Sequence, residues 1–167
     1  LYQQLLSALA SDIDVLQIDV VGPGLLASHL QDLEPLLGEE TAAHYPAMIA
    51  NNTVDHRLVA MPWFASVGVL YYRKDLLQKH AESVPASWDE LGATAARIRG
   101  RERAVGNEGL WGYVWQGRAY EGLTCNALEW VASEGGGTIV ADDGRASIDN
   151  ASAARSLTRA AAWVGNI

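Results

Sequence analysis

The run Met61-Pro62-Trp63-Phe64-Ala65-Ser66-Val67-Gly68-Val69-Leu70-Tyr71-Tyr72, continuing into Arg73-Lys74-Asp75-Leu76-Leu77, constrains this chain more than any other segment. An apolar strand enters it, an aromatic break interrupts it, and a second apolar strand leaves it for a helix. Such a segment reads as a crossover between two lobes, centred near residues 62–70. It divides the chain into a partial first lobe, 1–67, and most of a second, 68–167. The uncharged run from Leu58 to Tyr72 is shorter than the ~20 residues that a membrane-spanning helix needs, and Pro62 and Gly68 break it.

Composition sets the outer bounds. With 167 residues, 49% hydrophobic and 19% charged, the chain suits one globular domain or two small lobes, and it is neither a disordered nor a coiled-coil sequence. Twelve Lys and Arg against 20 Asp and Glu give a net charge of −8, which argues against nucleic acid as a partner. Cys125 is the single cysteine; it excludes a disulfide framework and is expected as a small buried side chain on a helix. His29, His44, His56 and His80 lack metal-ligand spacing and read as surface histidines, so no metal is expected. No cofactor is expected either, because Gly22-Pro23-Gly24 matches neither glycine-rich phosphate-binding spacing. The opening Leu1-Tyr2-Gln3-Gln4-Leu5-Leu6 has apolar residues at helical spacing and no basic leader. It reads as the middle of a helix, and the sequence is expected to be truncated there.

Helices and strands alternate along the chain. Leu5, Leu6 and Leu9 mark a first helix, and Val15 to Val21 reads as a buried strand with Gln17 and Asp19 on one side near its carboxyl end. In open α/β sheets that end is where ligands sit. Gly22-Pro23-Gly24 is expected to turn the chain, and Leu25 to Leu37 to form a loose helix interrupted by Pro35. Asn51-Asn52-Thr53 reads as a turn before a strand from Arg57 to Met61, and Val69 to Arg73 as a strand before a helix from Lys74 to His80. Ser87-Trp88-Asp89-Glu90 is a capping box that opens a helix whose apolar face is Leu91, Ala95 and Ile98. Arg97, Arg99, Arg101 and Arg103 crowd its end, where cations complement the helix dipole. Leu110 to Gln116 carries Trp111, Tyr113 and Trp115 on one face of a strand. Leu123, Ala127, Trp130 and Val131 then give a helix that stops at Gly135-Gly136-Gly137. Two short strands, Thr138 to Val140 and Ala146 to Ile148, flank Asp142-Asp143-Gly144. A last helix from about Ala151 to Val164, capped by Asp149 or Asn150, places Ala154, Leu157, Ala161 and Val164 on one side.

Six tryptophans and six tyrosines beside scattered carboxylates supply what a sugar cleft uses: aromatic faces for the CH face of a pyranose, and oxygen acceptors for its hydroxyls. Trp88, Trp130 and Trp163 fall at core-packing positions, whereas Trp63, Phe64 and Tyr120 stand at element edges, where binding residues concentrate. Three blocks in order, namely Asp14 to Val20, Met61 to Leu77 and Gln116 to Asn126, resemble the extracellular solute-binding proteins of bacterial ABC sugar importers, of the maltose/trehalose type.

That resemblance implies an α/β fold of the periplasmic-binding-protein-like type II class, here as an incomplete two-lobe α/β/α architecture. It implies binding of a disaccharide or oligosaccharide by Gln17, Asp19, Trp63, Phe64, Ser66, Gln116, Tyr120 and Glu121, with no catalytic residue. It also implies a membrane permease as partner and a periplasmic or cell-surface location. Departures are local: Gly22 stands where the family usually has a tryptophan, and Ser66 where it usually has an aspartate. These, with the truncation, lead to an expectation of weak or no sugar affinity in the isolated chain. Asp19 also suits a turn cap, and Glu121 a helix N-terminus. Three alternatives stay open: a stand-alone truncated product without transport, a homodimer that pairs exposed sheet edges, and an enzyme with Asp19 and Glu121 as paired carboxylates about 5 to 10 Å apart.

Overall fold

A computed structural model describes residues 14–141 and 143–167. The helix expected around Leu5 to Leu9 lies outside the described residues, as does Asp142. The chain divides into two units, Leu1–Ser66 and Val67–Ile167.

Proline sets the helix starts of the first unit. Helices α1 (Gly22–Leu26), α2 (Glu34–Leu37) and α3 (Pro46–Asn51) each hold a proline in the first two positions. There the missing N–H is one the helix could not satisfy anyway, and the fixed φ is already helical. Two expectations are corrected by this: Gly22-Pro23-Gly24 begins a helix instead of a turn, and Pro35 starts a helix instead of interrupting one. Single 3-10 turns, Ala27–His29 and Gly38–Ala43, fill the intervals. Strands β1 (Thr53–Val54) and β2 (Arg57–Leu58) form an antiparallel hairpin with Thr53 opposite Leu58 and Val54 opposite Arg57. Asp55 and His56 turn it at φ 48° and 62°, the two successive left-handed residues that a tight hairpin loop requires. The strand expected to reach Met61 therefore ends at Leu58, because β1 offers only two residues to pair with.

Arg57 holds this unit together. Its guanidinium donates to the carbonyls of Ala27 at 3.2 Å and Leu30 at 2.6 Å, while the Leu33 N–H donates to the Leu58 carbonyl at 2.7 Å. Leu26, Leu58 and Val59 are the buried apolar residues beneath.

The segment Val15 to Val21 is not the buried strand its composition predicts. It forms no strand, and Val15 and Val20 are 87% and 63% exposed. β-branched residues favour an extended backbone, but a strand exists only through hydrogen bonds to a neighbour, and among the described residues none pairs with it. The same holds for Val69 to Arg73 in the second unit and for Leu110 to Gln116, which run without strand pairing.

In the second unit, helices α4 (Lys74–Lys79), α5 (Trp88–Ala104), α6 (Glu121–Ser133) and α7 (Ala151–Trp163) supply the order. Ser87 Oγ accepts from the Glu90 N–H at 3.2 Å, and the Glu90 carboxylate returns to the Ala86 N–H at 2.8 Å. Asn150 Oδ1 caps α7 by accepting from the Ala153 N–H at 2.9 Å, which settles the choice between Asp149 and Asn150. Leu91, Ala95 and Ile98 are buried as expected.

The core is built from aromatic edges. Trp163, 6% exposed, meets Trp88, Tyr113, Trp115 and Trp130 at centroid separations of 5.6 to 6.1 Å. Steep interplanar angles of 67° to 87° for three of these pairs set positive ring edges against negative faces. Tyr113 and Trp115, two residues apart on extended backbone, stack at 5.4 Å. Gly112 admits this segment close to α5: a Cβ there would stand 2.7 Å from the Ala95 carbonyl oxygen.

Helix α7 buries Ala153, Ser156, Ala160 and Trp163, one row round from the stripe expected. Small residues at three of these positions let α7 approach α6 closely, so Leu157, Ala161 and Val164 face outward. They line an open apolar groove of about 660 Å³ together with Val114, Trp115 and Leu123.

The arginines of α5 are structural. Arg97 and Arg101 both pair with Glu82. Arg99 donates to the carbonyls of Asn166 at 2.7 Å and Gly165 at 3.3 Å and lies 4.3 Å over the Trp111 ring. Glu102, 4% exposed at its side chain, accepts from Lys79 at 2.5 Å and contacts His80 at 2.6 Å. Asn107 donates to it at 3.1 Å. Hydrogen bonds from Lys79, Asn107 and His80 hold its carboxyl down to about 2. His80 is thus half-buried and paired, not a surface histidine. Cys125 is exposed, because the buried face of α6 runs through Gly122, Trp130 and Val131.

Candidate functional site

In the first unit the expected ligand-binding residues lie outside the helices and strands. Gln17 and Asp19 are exposed, and the Asp19 carbonyl accepts from the Gly22 N–H at 2.7 Å as the chain turns into α1. Their expected place at the carboxyl end of a paired strand is not found among the described residues, for want of a neighbouring strand. Trp63 and Phe64 are 85% and 62% exposed, and Ser66 follows them on the same exposed stretch.

In the second unit Gln116 and Tyr120 meet at the start of α6, and Glu121 is the helix's first residue. The Tyr120 hydroxyl donates to Gln116 Oε1 at 2.6 Å, and the Gln116 N–H donates to Asn126 Oδ1 at 3.0 Å. Tyr120 occupies the cap position of α6 without making a side-chain cap; its side chain goes to Gln116 instead. Glu121 lies in the first helical turn, where a carboxylate complements the helix dipole. The three side chains are exposed. Asn126 and Gly122 belong to this cluster and were not singled out by sequence reading. A glycine one residue into a helical pattern, where it weakens the helix, is the signal that points to them.

The apolar groove beside α7 is a different feature. No charged residue lines it, so it offers no carboxylate to a sugar hydroxyl. Among the described residues no group of three or more His, Cys, Asp or Glu is arranged to hold a metal ion, and no helix is long and apolar enough to cross a membrane.

A family model described as bacterial extracellular solute-binding protein matches residues 2–167. The chain belongs to that family. A Deinococcus radiodurans protein described as "Probable ABC transporter-binding protein" is 49% identical over 167 residues, covering 99% of this chain and 40% of its own length. Among solved structures, maltose-bound T. maritima MalE3 superposes with a TM-score of 0.77 at 40% identity, over 94% of this chain and 39% of that one. The chain thus spans about 40% of the length of the relatives it matches, and its α/β fold is part of the periplasmic-binding-protein-like class. Solute-binding proteins of this family are not enzymes, so the paired-carboxylate reading of Asp19 and Glu121 falls away.

Proposed function

We propose that this chain supplies part of a carbohydrate-binding receptor for ABC-transporter-mediated uptake, with a disaccharide or oligosaccharide as ligand. The observation that carries the reading is the Gln116–Tyr120–Glu121 cluster: an exposed aromatic ring, a carboxamide and a carboxylate at one helix start, in a chain 40% identical to a maltose-bound protein. In this reading residues 1–67 and 68–167 belong to two lobes of the receptor. The ligand-binding residues of the first are Gln17, Asp19, Trp63, Phe64 and Ser66, and those of the second are Gln116, Tyr120 and Glu121. Aromatic rings stack on the CH faces of the sugar, and the carboxylates accept from its hydroxyls. A permease in the membrane receives the closed form at the cell surface or in the periplasm.

Ser66 retains a hydroxyl but brings no charge, so the ligand loses a charge-assisted hydrogen bond there. Calorimetric titration of the full-length protein with maltose, trehalose and longer glucans tests the proposal. Saturable heat with one of them, reduced at least about tenfold in affinity by Glu121→Ala, is the expected result. No heat with any of the sugars overturns it.

A further inference from the structure

Gly122 sits at a position where the helix gains nothing from glycine. It lies one residue into α6 and is buried, its backbone is not in the left-handed region, and alanine would be the better helix former. Space is the remaining reason. A Cβ at residue 122 would fall on Gln116 Oε1 and on the Tyr120 hydroxyl and Cζ, the atoms that meet in the 2.6 Å hydrogen bond. Asn126, one helical turn further on, fixes the backbone of Gln116 at 3.0 Å. The phenol of Tyr120 is therefore held at its far end by a residue that is itself held by the helix, over a gap that only glycine leaves.

We propose that Gly122 and Gln116 are positioning residues for Tyr120, fixing its half-exposed ring as a platform for the apolar face of a pyranose. With Oε1 taken by the tyrosine, the Gln116 carboxamide nitrogen makes no hydrogen bond among the described residues and is a donor beside the ring. Platform and donor together fit a pyranose whose CH face stacks on the ring while one of its oxygens accepts from Gln116. The pyranose part of this inference rests on the carbohydrate reading above; the positioning part does not.

The three atoms that a Cβ would displace, Gln116 Oε1 and the Tyr120 hydroxyl and Cζ, lie at the far ends of exposed side chains, so Gly122→Ala folds, with a thermal midpoint equal to or above that of the parent. The test is made on the full-length protein with isotope-labelled tyrosine. Ring relaxation of Tyr120 is measured by NMR, and maltose and trehalose affinities by calorimetry, for Gly122→Ala, Gln116→Ala, Tyr120→Ala and the Gly122→Ala/Tyr120→Ala double variant. Gly122→Ala is expected to shift the Tyr120 ring signal, raise its mobility and weaken affinity about tenfold. Gln116→Ala weakens it less, and the double variant binds no worse than Tyr120→Ala alone. An unmoved ring signal, unchanged affinity or additive losses in the double variant would overturn the proposal. If the parent binds neither sugar, the carbohydrate reading fails by itself, and the ring signal of Gly122→Ala still decides the positioning.

Discussion

The two units of this chain share a composition rich in apolar residues but use it differently. In Val67–Ile167 the aromatic residues Tyr113, Trp115, Trp130 and Trp163 interlock between α5, α6 and α7, and α5 and α7 are capped by Ser87 and Asn150. In the first unit the described residues hold three short helices and a two-by-two hairpin, while Val15, Val20, Val21, Trp63 and Phe64 remain exposed. Helical order arises from residues three and four apart, so each helix carries most of its own specification. Strand order is borrowed from whichever segment lies alongside. A shortage of strand neighbours therefore leaves α5 to α7 intact and the β-branched runs unpaired.

The largest effect expected from this contrast lies at Trp163. Truncation by Trp163→Ala opens the centre of the aromatic cluster and should cost about 3–5 kcal/mol, seen as an early unfolding midpoint in urea followed by tryptophan fluorescence. A loss below about 1 kcal/mol would mean that the cluster is not the stabilising centre of the second unit.

Glu102 sharpens the picture through pH. Its carboxyl, held near 2 against an ordinary 4.5, is lower in the folded than in the unfolded state. Its contribution is thus complete above about 4.5 and is lost as pH falls toward 2. The thermal midpoint of the parent should exceed that of Glu102→Gln at neutral pH, and the gap should close between 4.5 and 2. A gap that is independent of pH would remove Glu102 as the hub joining α4 to α5.

The smallest effect is expected in the first unit. Val20→Thr alters a side chain that is 63% exposed and should change stability by no more than about 0.5 kcal/mol. A loss above about 1 kcal/mol would show that the extended segment is packed in solution and would erase the contrast between the units.

The same physics divides what the sequence discloses from what it hides. The Ser87–Glu90 box, a cap at Asp149 or Asn150 and the Leu91, Ala95, Ile98 stripe were all legible, because caps and periodicity are local signals. The Gln116–Tyr120–Glu121 grouping was legible as a motif, since its members are within six residues of one another. Strand pairing for Val15 to Val21 and Val69 to Arg73 was not, because a partner strand is not written into the segment itself. Helix α7 was misread by one row for a related reason: Ala153, Ser156 and Ala160 look like a weak face until the close approach of α6 gives small residues their value, while Leu157 and Val164 turn to an open groove. Prolines 23 and 35 were misread as breakers because proline stops a helix from within but suits its first turn.

The central proposal is that Tyr120 and Glu121, at the start of α6, serve a sugar. Calorimetric titration of the full-length protein with maltose and trehalose, repeated on Glu121→Ala and Tyr120→Ala, tests it most directly. The account predicts one-to-one saturable binding of one of these sugars, weakened about tenfold or more by each substitution. Absence of binding to both sugars, or binding that neither substitution alters, would contradict it.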